Sequence, residues 1–252
     1  MRQRIVLACG LVAALSACSD EVQSPIEPDE PIATTVAEGY YEVEPLYSVS
    51  ITNLTTGQPF TPPILATHSS RLRLWQNGRR ASPEVMEIAE NGNLAPMLER
   101  LGGSEAVTDV LVVEGPTIPP VLPGETTTIL IEGSRRSRFL SAISMLICTN
   151  DGFMGVTRQR LPVRVGDERS WRVRAYDAGT EINTGDFSDM VPPCAALTGV
   201  DTDKMGTGMS NPDLAENGRV RRHPGVRGAE DLIPALHGWR GPVAQIEVTR
   251  IR

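Results

Sequence analysis

Short segments in which apolar and polar residues alternate, separated by turns, constrain the fold of this chain more than any other feature. Residues 47–52 alternate aromatic or aliphatic side chains with hydroxyl side chains, and residues 244–249 alternate aliphatic with polar side chains. An alternation with a period of two residues is typical of a β-strand that buries one face. Both ends of the region that follows residue 45 are therefore predicted to be strands.

Four more strands are predicted between these two, at residues 107–113, 126–131, 139–147 and 171–176. Turn sequences such as Leu122-Pro123-Gly124 separate them. Many strands joined by turns rich in proline and glycine favour an all-β fold, an antiparallel β-sandwich.

One or two short helices interrupt this pattern. Ser82 suits an N-cap, Pro83 suits the first helical position, and Asn91-Gly92 suits the end of the helix. A second helix is predicted from Ala95 to Leu101. Residues 201–228 contain many Gly, Pro, Asn and Asp residues and predict a long loop.

The N-terminus has the features of an export signal. Arg2 and Arg4 precede an apolar run at residues 5–15, which is too short to span a bilayer. Leu15-Ser16-Ala17-Cys18 resembles a bacterial lipobox, so residues 1–17 are predicted to be a lipoprotein signal peptide and Cys18 the lipidated residue. A plain secretory signal is the alternative. By the usual sorting rule, Ser19 after the cysteine indicates an outer-membrane lipoprotein of the cell envelope, facing either the periplasm or the surface.

Residues 18–45 are acidic and rich in proline, which predicts an extended tether. The remaining residues, 46–252, suit one domain. The net charge is −7, and the chain has no Lys or Arg between Arg4 and Arg71. Because phosphate binding needs a basic surface, a nucleic-acid partner is disfavoured.

The cysteines fit an oxidising compartment. Cys9 leaves with the signal peptide and Cys18 carries lipid, so Cys148 and Cys194 remain. A disulfide between them is the expected state of an exported protein, and two buried free thiols are the alternative. Neither belongs to a Cys-x-x-Cys pair, which disfavours a zinc or redox site.

Three acidic residues lie in turns that contain glycine and follow apolar runs. They are Asp151, Asp177 and Glu181. Gly179 can adopt a left-handed conformation and return the chain so that Glu181 lies beside Asp177. Carboxylates that converge in this way suit calcium, whereas solvated acids in capped turns are the simpler interpretation.

Several stretches resemble, in order and spacing, the spondin domain, the N-terminal module of the matrix protein F-spondin, in its bacterial form. The resemblance covers roughly residues 46–252. The matching stretches are Val49–Thr55, Gln58–Pro63, Ala66–His68, Ala81–Glu84, Ser144–Leu146, Thr149–Phe153, Asp177–Glu181, Ala215–Gly218 and His223–Gly225.

The resemblance implies a β-sandwich related to calcium- and lipid-binding sandwiches, with one bound Ca²⁺. The family's ligands fall on Asp151, Asp177 and Glu181, where this chain has Glu at a position that is Asp in F-spondin. A glutamate can still ligate calcium, although its longer side chain changes the coordination.

The expected function is that of a calcium-binding adhesion or binding module, not an enzyme. The protein is expected to be anchored to the membrane by lipid at Cys18 and to recognise an unknown protein or glycan partner. One alternative is a calcium-dependent envelope hydrolase acting on polysaccharide, for which the aromatic content of 4% supplies few sugar-stacking residues. Another is a structural envelope protein without a metal. The three histidines are too scattered for a metal motif, and no nucleophile elbow or phosphate-binding loop is present.

Overall fold

Strands account for most of the regular structure. The computed structural model describes residues 43–252, so the predicted signal peptide, Cys18 and nearly all of the tether lie outside the described residues. Within residues 43–252 the elements are, in chain order, β1 (Leu46–Asn53), β2 (Ile64–His68), α1 (Pro83–Asn91), α2 (Ala95–Gly102), β3 (Val107–Val112), β4 (Thr126–Glu132), β5 (Phe139–Met145), β6 (Gly152–Arg160), β7 (Glu168–Val173), β8 (Ala175–Asp177), α3 (Pro193–Thr198), β9 (Arg221–Arg222), α4 (Pro234–His237) and β10 (Ala244–Arg250).

The strands form two antiparallel sheets. The first has the order β4-β1-β10-β7 and the second has the order β3-β2-β5-β6-β8-β9. The two alternating segments at the ends of this region pair with each other, with Val49 opposite Val248 and Ile51 opposite Ile246. The prediction of an antiparallel β-sandwich is therefore confirmed, as are the two terminal strands.

The first sheet buries one face and exposes the other. Val49, Ile51 and Ile246 are fully buried against the second sheet. On the outer face of β1, the hydroxyls of Ser50 and Thr52 are hydrogen-bonded to threonines of β4 at 2.8 Å. This division explains why period-two alternation is so clear in β1 and β10.

The central strands of the second sheet, β2, β5 and the first half of β6, are buried on both faces. Leu65 of β2 faces the first sheet, whereas Ile64 and Ala66 face a second core that includes α1 and α2. All five residues of β2 are buried. A strand covered on both sides has no polar face, so it shows no alternation. For this reason the sequence predicted neither β2 nor the buried first half of β6.

The predicted strand at residues 171–176 is divided in the structure between two strands, β7 and β8. The chain leaves the first sheet after Val173 and joins the second sheet at Ala175, so Arg174 separates β7 from β8. Trp171, Val173 and Ala175 all contact the core between the two sheets. Because both sheets face that core, the apolar pattern continues through the crossover and conceals it.

The predicted helices are confirmed at α1 and α2. Pro83 begins α1, and Gly92 ends it with a left-handed φ of 64°. Ser82 holds the N-cap position, but its hydroxyl donates to Glu84 instead of accepting from the backbone. None of the helices within residues 43–252 is long and apolar enough to cross a membrane.

A disulfide joins Cys148, in the turn after β5, to Cys194 in α3. The predicted pair is therefore confirmed. Both cysteines are buried in the core that also contains Val85 and Ile88 of α1. Because the linked residues are 46 positions apart, the closed loop is worth about 4 kcal/mol in the chain-entropy treatment.

Removing the disulfide is expected to destabilise the domain. A Cys148→Ser/Cys194→Ser variant should lose about 2–4 kcal/mol and melt about 5–15 °C lower, because the unfolded chain regains the entropy of the open loop. Thermal unfolding with and without reductant measures the effect. Reductant should lower the Tm of the unaltered protein and leave the variant unchanged; an equal response of both proteins would contradict this.

Candidate metal centre

The pairing of β6 with β8 brings two of the predicted acidic residues together. Asp151 immediately precedes β6, and Asp177 is the last residue of β8. The register places Gly152 opposite Asp177, and the backbone N–H of Ala178 donates to the carbonyl of Asp151 at 3.1 Å. The pairing of β6 with β8 thus brings together Asp151 and Asp177, which are 26 positions apart in the chain.

The Asp151 carboxylate connects this strand pair to the turn that carries Glu181. Its Oδ2 accepts from the backbone N–H of Thr180 at 2.8 Å and of Glu181 at 3.2 Å. Its Oδ1 accepts no hydrogen bond within residues 43–252, and the residue is completely buried. One oxygen of Asp151 therefore organises the turn, while the other is unpartnered in a region without solvent.

The turn after β8 has the predicted left-handed residue. Gly179 has a φ of 71°, and its N–H donates to Asp177 Oδ1 at 2.9 Å. A Cβ at this glycine would lie 2.5 Å from the backbone nitrogen of Arg219, so the position has no space for a side chain. The left-handed turn carries the chain on to Glu181, which forms a bridge with Ala215 in the long loop.

The Asp177 carboxylate accepts hydrogen bonds from two side chains that the sequence analysis did not identify as its partners. Its Oδ2 accepts from Asn183 Nδ2 at 2.9 Å and from Arg221 Nη2 at 3.1 Å. The same guanidinium binds Glu216 at 3.0 Å. Arg221 lies in β9, which pairs with β8, so its position depends on strand pairing over 44 residues. A two-residue strand in a polar loop gives no signal from which this contact could be predicted.

Glu181 is buried and held from a different direction. It is 4% exposed, and its Oε1 accepts from the backbone N–H of Asn211 at 2.9 Å. Asn211 belongs to the long loop between α3 and β9. The loop predicted at residues 201–228 is thereby fastened to the acidic turn at one defined point.

Burial raises the pKa of the Asp151, Asp177 and Glu181 carboxyl groups. Burial first, and the nearby Asp177 carboxylate second, raise the pKa of Asp151 to about 7. Burial also raises the pKa of Glu181 to about 7, although the Asn211 N–H opposes this. The pKa of Asp177 is raised by burial too, against the lowering effect of Asn183 and Arg221.

A fourth buried acid belongs to this cluster. Glu90, in the last turn of α1, is 5% exposed, and its Oε2 has no hydrogen-bond partner among the described residues. Its charge raises the pKa of both Asp151 and Glu181. The sequence analysis missed Glu90. In the sequence it has the appearance of an ordinary charged residue beside the apolar stripe formed by Val85, Ile88 and Ala89.

The chemistry of the cluster suits a hard cation. It offers carboxylate oxygens and has unpartnered oxygens on Asp151 and Glu90, and buried carboxylates without partners are costly. As the side chains stand, no three His, Cys, Asp or Glu residues within positions 43–252 are grouped closely enough to hold a metal ion. Binding at all three predicted ligands therefore requires side chains such as Asp177 and Glu181 to exchange a hydrogen-bond donor for the cation.

The histidines lie in other hydrogen bonds. His68 Nε2 is 2.7 Å from Ser141 Oγ, and both residues are completely buried. The other ring nitrogen of His68 contacts the Ser69 carbonyl, so no carboxylate orients the ring. His223 and His237 accept backbone hydrogen bonds through Nδ1.

One comparison with known families gives a match, to Spondin_N over residues 52–195. This range contains Asp151, Asp177, Glu181 and both disulfide cysteines. No curated protein matches the chain.

The pKa values predict how the metal-free protein responds to pH. The carboxyls of Asp151 and Glu181 titrate near pH 7 in the folded state and near pH 4 when unfolded, so the folded state binds more protons between these limits. Stability should therefore fall by on the order of 3 kcal/mol for each of the two carboxyls as the pH rises from about 4 to about 7.

Urea unfolding in chelator, compared with an Asp151→Asn/Glu181→Gln variant, measures this effect. The comparison removes the contribution of the buried histidines, whose lowered pKa values act in the opposite direction. The variant should become more stable than the unaltered protein at pH 8 and lose that advantage at pH 4. A difference that does not change with pH would contradict the assignment.

Proposed function

The chain belongs to the Spondin_N family, and on this premise we propose that it is a calcium-stabilised binding module of the cell envelope. The observation that carries the proposal is the unpartnered Oδ1 of the completely buried Asp151. A buried carboxylate oxygen is tolerable when a proton or a cation satisfies it. Above pH 7 the proton is lost, and a cation becomes the favoured partner.

Calcium is the cation that this cluster suits best. Ca²⁺ takes six to eight oxygen ligands in flexible geometry, whereas Mg²⁺ requires a rigid octahedron. Asp151, Asp177 and Glu181 supply hard oxygens from two turns, which can adjust around an ion. Zinc prefers nitrogen and sulfur, and the nearby sulfurs of Cys148 and Cys194 are joined in the disulfide.

The proposed role of the ion is structural. When bound, it supplies a fixed positive charge that joins the turn before β6 to the turn after β8. The carboxylates are buried beneath backbone donors and do not line an open cleft, which supports a role in bracing the loops. We therefore propose a binding protein and not a hydrolase.

A groove next to the braced turns offers a surface for a partner. It has a volume of about 240 Å³ and is mostly apolar. Asn150, the neighbour of Asp151 in the chain, and Asn183, which donates a hydrogen bond to Asp177, both line this groove. Because the overall charge is negative, we propose that the partner is a protein or a glycan and not a nucleic acid.

Calcium should bind once per chain and raise the Tm. At a calcium concentration one hundred times the Kd, binding contributes about 2.7 kcal/mol, which is about 5–10 °C for a domain of this size. Calorimetric titration and thermal unfolding of the full chain, purified in detergent, measure both quantities.

The Asp151→Asn/Glu181→Gln variant should show neither effect, because amides replace the charged ligands with little change in shape. Asp201→Asn, which changes an exposed acid in the long loop, is the matched control and should behave like the unaltered protein. Equal calcium binding by the double variant, or no binding by the unaltered protein, would refute the proposed site.

We also propose that Cys18 attaches the protein to the outer membrane through lipid. Three sequence features support this proposal: the short apolar run, the Leu15-Ser16-Ala17-Cys18 motif and the acidic tether that follows.

Changing Cys18 should release the protein from the membrane. In a bacterial host, the unaltered chain should incorporate radiolabelled palmitate and sediment with the membranes, because the lipid is its anchor. Cys18→Ser should remove the label and the membrane association. Cys9→Ser is the matched control, and sedimentation of the Cys18 variant with membranes would contradict the proposal.

A further inference from the structure

One end of the sandwich, which we call the arginine end, carries a cavity of about 300 Å³. It lies where β1 and β5 begin and where β6 and β10 end. Five arginines line it, and no Asp or Glu of residues 43–252 does: Arg135, Arg138, Arg160, Arg169 and Arg250. In a chain with a net charge of −7, this concentration of positive charge is a local feature that the overall charge conceals.

Strand register places two of these arginines on the inner face of the first sheet. Arg169 lies opposite Val248, and Arg250 lies two residues beyond Val248 in β10. Opposite residues of an antiparallel pair share a face, and so do residues two apart in one strand. Val248 is completely buried in the core between the sheets. The two arginines therefore continue an apolar inner face with charged side chains at its end, which the packing of the core does not explain.

Most of the guanidinium groups at this end have no carboxylate partner. The ion pairs of residues 43–252 do not include Arg138, Arg160, Arg169 or Arg250. Arg250 donates through Nη1 to the carbonyl of Val163, in the loop after β6, which does not neutralise its charge. The nearby acids Asp167 and Glu168 accept hydrogen bonds from a backbone N–H and from a threonine hydroxyl, respectively. Because guanidinium groups without carboxylates repel one another, the cavity favours an anion, and their planar forks match the oxygens of a phosphate.

Exposed aliphatic side chains border the cavity. Val163, which lines it, is 70% exposed, and Val165 in the same loop is 66% exposed. The N–H of Gly166 donates to the carbonyl of Arg250 at 2.8 Å, so this loop lies against the end of β10. Ile251, directly after Arg250, is 43% exposed. Cations beside exposed aliphatic side chains suit the interface of an anionic membrane, where phosphates attract the cations and the apolar groups leave water.

The predicted tether joins the domain at this cavity. Pro45, the last residue of that segment, lines it. Cys18 and Pro45 are 27 positions apart, which allows a reach of at most about 90 Å at ~3.3 Å per residue. Asp151 precedes β6 and Arg160 ends it, so the candidate metal centre and the arginine end lie at opposite ends of that strand. A membrane contact at the arginine end therefore leaves the metal centre and the groove beside it free.

We propose that the arginine end docks on the surface of an anionic membrane, where its guanidinium groups bind the phosphates of lipid headgroups and Val163 and Val165 enter the interface. The choice of a membrane over other phosphate-bearing partners rests on the lipid anchor proposed above, whereas the contact itself is a second, non-covalent one made by the folded domain. It requires no calcium, and it presents the opposite end of the sandwich to a partner.

Hydrogen exchange of the full chain reconstituted with vesicles tests this contact. On vesicles of phosphatidylglycerol and phosphatidylcholine in equal parts, with chelator present, the amides of residues 161–167 and 250–252 should exchange at least fivefold more slowly than on phosphatidylcholine alone. Raising the salt concentration from about 0.1 M to about 1 M should abolish the difference, because the Debye length falls from about 10 Å to about 3 Å.

Arg160→Gln/Arg169→Gln removes one exposed arginine from each sheet. It should weaken docking roughly 25-fold, since each cation near an anionic surface strengthens binding about fivefold, and the slowed exchange should disappear. Arg222→Gln/Arg240→Gln is the matched control, because it makes the same change of charge at exposed positions outside the arginine end, and it should behave like the unaltered protein. Because all four side chains are exposed, the Tm of both variants should stay within about 2 °C of the unaltered value.

The outcomes separate this contact from the anchor, which flotation with phosphatidylcholine vesicles reports by itself. If the chain floats with these vesicles but its exchange is equal on both kinds, the docking proposal fails and the anchor stands. If it floats with the anionic vesicles alone, the anchor fails and the docking stands. Slowed exchange in inorganic phosphate or dextran sulfate, with none on anionic vesicles, would identify a phosphate-ion or anionic-glycan site and overturn the membrane contact.

Discussion

The buried carboxylate of Asp151 is the interaction on which the site depends. Through Oδ2 it accepts hydrogen bonds from two backbone N–H groups of the turn after β8, and it thereby fixes Glu181 relative to the start of β6. Hydrogen bonds to a charged acceptor are stronger than neutral ones, so the ionised form holds this turn best. The same ionised form leaves Oδ1 without a partner in a region closed to solvent. The residue that organises the turn thus creates the need for a positive charge.

Strand pairing and the disulfide hold the region around the Asp151 carboxylate in place without calcium. The pairing of β6 with β8 sets its distance from Asp177, and the disulfide of Cys148 with Cys194 ties the preceding turn to α3. The flanking residues Cys148 and Ala178 lie in the core that α1 and α2 cover, and the long loop contacts Glu181 through Asn211. Burial of that kind raises the pKa of Asp151 and Glu181 to about 7. On the proposed function, calcium would therefore compete with protons for these carboxylates near neutral pH.

Local sequence patterns predicted the strands, helix ends and turn that depend on interactions between residues close together in the chain. Alternation predicted β1 and β10, Pro83 and Gly92 marked the ends of α1, and the residues of the Asp177–Glu181 turn anticipated the left-handed Gly179. Most contacts between distant parts of the chain could not be predicted from local patterns. The Cys148–Cys194 disulfide is an exception, because only these two cysteines remained after the N-terminal pair was assigned. The crossover at Arg174 preserves the apolar pattern because both sheets face one core, and β2 has no polar face to show. Glu90 resembles an ordinary charged residue beside an apolar stripe, since only the packing of the helix and the long loop buries it. Arg221 reaches Asp177 through a strand of two residues.

The central claim is that one calcium ion satisfies the oxygens that the fold leaves buried and unpartnered. A crystal structure of the full chain grown with calcium, with anomalous scattering to identify the ion, tests this claim most directly. The account predicts one ion at about 2.3–2.6 Å from Asp151 Oδ1, with Asp177 and Glu181 among its other ligands. A structure in saturating calcium in which this position is empty, with Asp151 and Glu181 still bound to their backbone donors alone, would contradict it.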